Sequence, residues 1–269
     1  MEDYKLIFTN KQPTKPFISA ALIVKNCENR IKECIKSIED IVDEIVIVDD
    51  FSTDNSVEVI KNLSRKVSKI VQHKLTDFSV QRNICLDLCD GQYNMIIDDD
   101  EIASEALRNS IKNFIKNSPT KDIYFCKRVN HNFHGSVLEH LNYPVLLKKN
   151  IRFSGSLHET VNGESSYIKG FIKGFIEHYP DPSIYCFITD LRDYSKRKAE
   201  SWLKEGRKYP IYILLARQTL VAVVLLVKRL LVEKRIKDGF KAIIYCIAWM
   251  SEEFFVALWY IKLRNKLIS

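Results

Sequence analysis

Residues 17–24 (Phe-Ile-Ser-Ala-Ala-Leu-Ile-Val) form an apolar run of strand length. The stretch 26–40 follows with Ile31, Cys34, Ile35 and Ile38 at the spacing of one buried helix face. Residues 44–49 are rich in Ile and Val and barely alternate, which predicts a parallel strand covered on both sides. A polar loop then leads into a helix over 57–63, a strand over 67–72, a helix over 79–88, a strand over 93–98 and a helix over 104–117. This alternation predicts an α/β fold, a mostly parallel sheet flanked by helices with right-handed crossovers. A strand over 122–126 precedes a His-rich stretch, 130–143, that reads as irregular, and strand-like pieces follow at 145–148, 151–153 and 167–176. From residue 190 the pattern turns helical: 194–208 is charged, 211–232 apolar, and 237–266 rich in aromatic residues. The expected division is a catalytic domain over 1–182 and a helical extension over 183–269.

Charge sharpens that division. Residues 190–269 hold 17 Lys and Arg against 8 Asp and Glu, whereas residues 1–189 hold 24 against 26. A basic, apolar tail on a near-neutral body predicts an anionic surface as partner. The unbroken run 220–227 is too short to cross a bilayer, so an in-plane helical hairpin at a membrane surface is expected, with packing on a second subunit, a homodimer, as its alternative. The basic segments lack interleaved stacking aromatics, and no nucleic-acid partner is expected. Seven cysteines without a C-x-x-C pair argue against a disulfide framework and a zinc ribbon. With no secretory pattern at residues 1–5, a cytoplasmic location at the inner membrane face is the expectation.

The chemistry gathers at Met95-Ile96-Ile97-Asp98-Asp99-Asp100-Glu101, an apolar run ending in four acids. A strand end at the carboxyl edge of such a sheet fixes the direction of its carboxylates, and hard divalent cations want several oxygens. Asp49 ends an earlier strand at the matching place, where it could accept hydrogen bonds from a ribose or a base edge. Arg82 begins a helix, where a guanidinium could meet a phosphate or a uracil oxygen. His158 and Glu159 are adjacent, and a partly desolvated carboxylate can take a proton from a sugar hydroxyl. His178 could be a third contact to metal or phosphate.

Segments 20–26, 45–54 (Ile-Val-Ile-Val-Asp-Asp-Phe-Ser-Thr-Asp), 78–83, 97–101 and 153–159 together resemble the family 2 inverting glycosyltransferases with the Rossmann-like GT-A fold. Within that family they are similar to the lipopolysaccharide-core glucosyltransferases that extend the inner-core heptose and, more distantly, to the peptide S-glycosyltransferases. The likeness covers about the first 180 residues; in the tail, Tyr194-Ser195-Lys196 and Lys237-Asp238-Gly239 resemble the lipopolysaccharide branch. It implies a UDP-sugar donor bound by Asn26, Glu28, Asp49, Arg82, Asp98 and Asp99, and a Mn2+ or Mg2+ ion held by Asp98, Asp100 and His178. Glu159 would be the catalytic base, with His158 and Glu101 in acceptor or supporting roles. The sugar would be a hexose, glucose, and the acceptor a lipid-linked saccharide of the lipopolysaccharide or lipooligosaccharide inner core. Two departures stand out: Cys27 separates Asn26 from Glu28, and residues 144–148 lack the arginine that relatives place before the Phe-x-Gly-x-x-His-Glu segment. A peptide thiol or a capsule intermediate is the alternative acceptor, and a noncatalytic anion-binding module is the rival from outside the enzymes.

Overall fold

Both faces of the central strands are buried, which is why they read as unbroken apolar runs. The structure is a computed structural model that describes residues 4–10, 15–116, 119–132, 135–155, 159–180, 184–232, 237 and 239–268. The chain folds as two units, residues 1–130 with 137–179 and residues 131–136 with 180–269.

The first unit begins with β1 (Lys5–Thr9), β2 (Ile18–Val24), α1 (Ile31–Ile38), β3 (Glu44–Asp49), α2 (Ser56–Leu63), β4 (Val67–Gln72), α3 (Phe78–Leu88) and β5 (Tyr93–Ile96). After these come β6 (Glu101–Ala103), α4 (Glu105–Lys116), β7 (Ile123–Asn132), β8 (Gly135–Lys148), the short pair β9 (Phe153–Ser154) and β10 (Thr160–Val161), and β11 (Lys169–His178). Among the described residues the main sheet runs β1-β4-β3-β2-β5-β8-β7-β11-β6. Strands β2 to β5 pair in parallel, whereas β1, β6 and β8 join β4, β11 and β5 antiparallel, so the sheet is mixed. Along β3, Ile45 and Ile47 pack on the face that α1 covers with Ile31, Cys34, Ile35 and Ile38, and Val46 and Val48 pack on the face that α3 covers with Cys85 and Leu86. Each strand thus anchors two layers.

From β2 the chain steps outward to β3 and β4, then returns to lay β5 on the other side of β2. That reversal opens a crevice at the carboxyl ends of β2 and β5. The stretch expected to be irregular, 130–143, falls largely on the long strands β7 and β8; its weak strand formers Asn130, His131 and Asn132, with Pro144 beyond, dilute the signal.

The second unit holds α5 (Ile184–Lys204), α6 (Ile211–Val227) and α7 (Phe240–Ile268), with a wider turn at Lys228–Val232 prolonging α6. Ala199, Trp202, Leu214, Val256, Ala257 and Tyr260 form its core. Although 220–227 is short, the folded helix Ile211–Leu231 has 21 residues at a mean hydropathy of 1.9, and Ile243–Asn265 has 23 at 1.3. Both are therefore long and apolar enough to cross a membrane, a point that the run length alone missed.

Candidate active site

The crevice is a cavity of about 380 Å³. Its walls are strand ends and helix starts: Val24 ending β2 and Lys25 after it, Arg30 before α1, Asp50 after β3, Phe78, Gln81 and Arg82 on α3, and Asp98, Asp99 and Asp100 after β5. Glu159, just before β10, and His178, the last residue of β11, close it.

Arg82 is the hub. Asp77 caps α3, accepting from the N–H groups of Ser79 and Val80, and so fixes the helix that presents the guanidinium. Although only 4% exposed, Arg82 donates from Nε and Nη2 to the two oxygens of Glu159 (3.2 and 3.0 Å) and from Nη1 to Asp98 Oδ1 (3.0 Å). Burial works against the Asp98 carboxylate, but the charge and hydrogen bond of Arg82, with Arg128 and His178 beyond, hold it below the usual range. Asp99 is gripped by a second fork, from Arg30 Nε and Nη2 (3.1 and 3.0 Å). Burial pushes its carboxyl up to about 6, opposed by Arg30 and reinforced by Asp100 and Asp98.

Glu101 turns away from the cavity. Fully buried, it accepts from Arg128 Nε (2.7 Å), from the Tyr143 hydroxyl (3.2 Å) and from the Asp98 N–H (3.1 Å). Its carboxyl is raised by burial and by the charge of Asp98, with Arg128 opposing. It supports the turn that carries Asp98. The antiparallel register of β11 with β6 sets His178 opposite Glu101 and so beside Asp100.

His178 Nδ1 lies 2.9 Å from Asn130 Oδ1 and His178 Nε2 lies 3.2 Å from Asp100 Oδ2. An amide oxygen accepts, so a proton sits on Nδ1; Nε2, when it carries none, turns its lone pair toward a carboxylate. Two acceptors facing each other are satisfied by a proton or a cation, and an imidazole whose far nitrogen is so fixed is a suitable ligand. The donor set of Asp98, Asp100 and His178 therefore fits a divalent ion. Among the described residues no three His, Cys, Asp or Glu side chains close around one point, so any ion held here would take its remaining ligands from bound oxygens.

The sequence model of glycosyl transferase family 2 matches residues 19–179, which contain every strand and helix of this crevice. The chain belongs to glycosyl transferase family 2. This transferase is 28% identical over 208 residues to an uncharacterized glycosyltransferase of Rickettsia typhi, covering 71% of this chain and 70% of that one. Among solved structures it is similar to the mannosyltransferase PcManGT from Pyrobaculum calidifontis in complex with GDP-Man and Mn2+ (13% identity, TM-score 0.53, 93% and 88% of the two chains). It is also similar to S. aureus TarS 1-349 in complex with UDP-GlcNAc (14% identity, TM-score 0.50, 93% and 92%). These likenesses show the GT-A fold.

Within this family 2 glycosyltransferase, Arg82, Asp98, Asp99, Asp100, Glu159 and His178 meet in one cavity. Asn26, Glu28 and Asp49 do not line it. Asp49 is buried and accepts from the Ser52 N–H (3.1 Å to each oxygen), the Ser52 hydroxyl and Gln72 Nε2 (2.9 Å). Asn26 accepts from the Thr53 N–H (2.8 Å) and Glu28 from the Asn55 N–H (2.9 Å). All three shape the loop after β3, and its cavity carboxylate is Asp50, which Lys25 (2.6 Å), Lys74 (3.0 Å) and the Leu75 N–H (2.9 Å) hold. His158 lies outside the described residues. Lys25, Arg30, Asp50 and Gln81 were not singled out from sequence; the rule that singled out Asp98, that strand ends face the ligand, extends to Lys25 and Asp50.

Proposed function

We propose that the protein moves a hexose, glucose, from a UDP-sugar to a lipid-linked saccharide of the lipopolysaccharide or lipooligosaccharide inner core, at the inner face of the cytoplasmic membrane and with inversion at the anomeric carbon. One observation carries the reading: Asp98, Asp100, His178 and Glu159 line a single cavity at the carboxyl edge of the sheet. UDP-GlcNAc bound to TarS supports the nucleotide, and the motif likeness to the inner-core glucosyltransferases supports sugar and acceptor.

Glu159 accepts the acceptor hydroxyl proton as that oxygen attacks the anomeric carbon from the face opposite UDP. The bond from that carbon to the diphosphate oxygen breaks, and its electron pair leaves with UDP. An ionised carboxylate offers about four acceptor positions. The Arg82 fork uses two and fixes the orientation of the base, leaving room for the hydroxyl. Arg30 spends Nε and Nη2 on Asp99, which leaves N–H groups of a half-exposed guanidinium for the donor, and Asp99 itself stands ready for a ribose or sugar hydroxyl. A Mn2+ or Mg2+ ion held by Asp98, Asp100 and His178 would neutralise negative charge on the donor diphosphate.

The test is Glu159→Gln, which keeps the shape of the side chain and removes the base. Transfer should fall about 10²- to 10⁴-fold with donor binding retained. Proton NMR of the wild-type product should show the inverted anomer. A retained anomer, or full activity in the variant, would remove Glu159 from this role.

A further inference from the structure

Among the described residues, much of the apolar surface of α6 is left uncovered. Only Leu214, Gln218 and Ala222 are buried, a stripe one residue wide at a spacing of four. Outside that stripe Leu220, Val223, Val224 and Val227 are exposed by 66, 48, 56 and 48%. A contiguous row of this kind marks a surface that something else covers.

Charge identifies the occupant. Residues 206–232 contain no Asp or Glu; Arg217 is exposed at the edge of the aliphatic row, and Arg207, which also pairs with Glu205 (2.7 Å), Lys208, Lys228 and Arg229 bracket the helix at both ends. A second copy of this chain laid on α6 would set cations against cations, whereas an anionic lipid surface meets both the cations and the aliphatic row.

The neighbouring helices decide the orientation. On α7, Glu252 and Glu253 receive Lys198 of α5 (3.0 Å to each), and Glu253 also accepts from Gln218, midway along α6. Ser195 of α5 donates to the Glu252 carbonyl oxygen (3.2 Å), so α5 runs against α7. The outward side of α5 carries Arg192, Asp193, Arg197 and Lys204, all exposed. If α6 crossed a bilayer, this charged side would enter hydrocarbon with it, which is unfavourable. With α6 lying flat, its aliphatic row enters the lipid while α5 stays in water.

We propose that α6 is an in-plane anchor that docks the protein on an anionic phospholipid surface. This deepens the membrane location proposed above and is independent of the transfer chemistry. Full-length protein should co-sediment at least about 10-fold more strongly with phosphatidylcholine vesicles containing phosphatidylglycerol than with phosphatidylcholine alone, and the difference should shrink in high salt. Leu220→Ser with Val224→Ser, both at exposed positions, should abolish binding with the circular dichroism spectrum unchanged. Lys228→Glu with Arg229→Glu should remove the preference for anionic lipid. Glu159→Gln should bind as the parent does, which separates failure of docking from failure of the transfer reading. Spin labels at Ile213, Leu220 and Val227 should report one common depth. A deeper central label would overturn the in-plane orientation, and binding indifferent to lipid charge, or a solution dimer that protects the three labels without lipid, would overturn the docking.

Discussion

Arg82 joins two carboxylates to which the proposed function gives different tasks. Arg82 is buried while the Asp98 and Glu159 side chains are partly exposed, by 31 and 19%, so removing it leaves two carboxylates without their partner in a partly desolvated place. Removing the partner of such part-exposed carboxylates costs about 1–3 kcal/mol. Arg82→Met should therefore lower the urea unfolding free energy by that amount as well as abolish transfer, whereas a merely exposed contact would cost almost nothing. Asp50 makes a pH-dependent contribution. Burial opposes its charge, yet Lys25, the Leu75 N–H and Lys74 hold its carboxyl below the usual range. A carboxyl lowered on folding stabilises the native state above its unfolded value of about 3.9 and loses that contribution as pH falls through the folded value. Urea midpoints for Asp50→Asn should lie below wild type at neutral pH, and the gap should close as the pH is lowered through 4. Phe51 next to it has a φ of 49°, in the left-handed region, with its ring 46% exposed. That backbone costs a non-glycine residue roughly 1–2 kcal/mol, and the greater chain entropy of glycine gives back about 0.5–1. Phe51→Gly should thus raise stability by about 0.5–1 kcal/mol in the same assay.

At the scale of elements, β11 shows how register creates the site. It pairs with β7 as Phe171 with Phe125, but as Phe175 with Lys127, a shift of two residues that keeps every side chain on its face. The shift aligns His178 with Asn130, its hydrogen-bond partner, and Gly174 lies inside it with a φ of 116°. A Cβ there would come within 2.3 Å of the Leu107 backbone nitrogen on α4. Gly174→Ala should cost about 1–3 kcal/mol and reduce transfer as well, because the strand that carries His178 must move. None of this could be read in advance: β6 has three residues and exists only through its pairing with β11, and β1 is an edge strand whose apolar run, Leu6-Ile7-Phe8, is too short to stand out. The inner strands were legible for the opposite reason, since burial on both faces demands an apolar run, Ala-Ala-Leu-Ile-Val in β2 and Ile-Val-Ile-Val in β3. The acid cluster at Asp98 was legible as the end of such a run. The choice between Asp49 and Asp50 was not, because it depends on a loop that turns one carboxylate inward to Ser52 and Gln72 and leaves its neighbour in the cavity.

On the scale of the molecule, the cavity is assembled from the ends of β2, β3, β5 and β11, which are far apart in sequence and meet only in the folded sheet. A ligand that touches several of them binds the native state alone and raises its apparent stability, by about 2.7 kcal/mol at a hundredfold excess over Kd. For a unit of this size that corresponds to roughly 5–10 °C in Tm. Among the described residues Asp98, Asp100 and His178 do not by themselves close around a cation, and under the proposed function the donor diphosphate gains charge compensation from a cation beyond that of Arg30. Each should therefore complete the site for the other. Mn2+ with UDP should raise Tm by more than the sum of the shifts that either produces alone, and a chelator should return the protein to the UDP-only value. Asp100→Asn should keep the UDP shift and lose the excess. Additive shifts in the wild type would instead mean that cation and nucleotide occupy separate places, and the three side chains would then need another explanation for their meeting in one crevice.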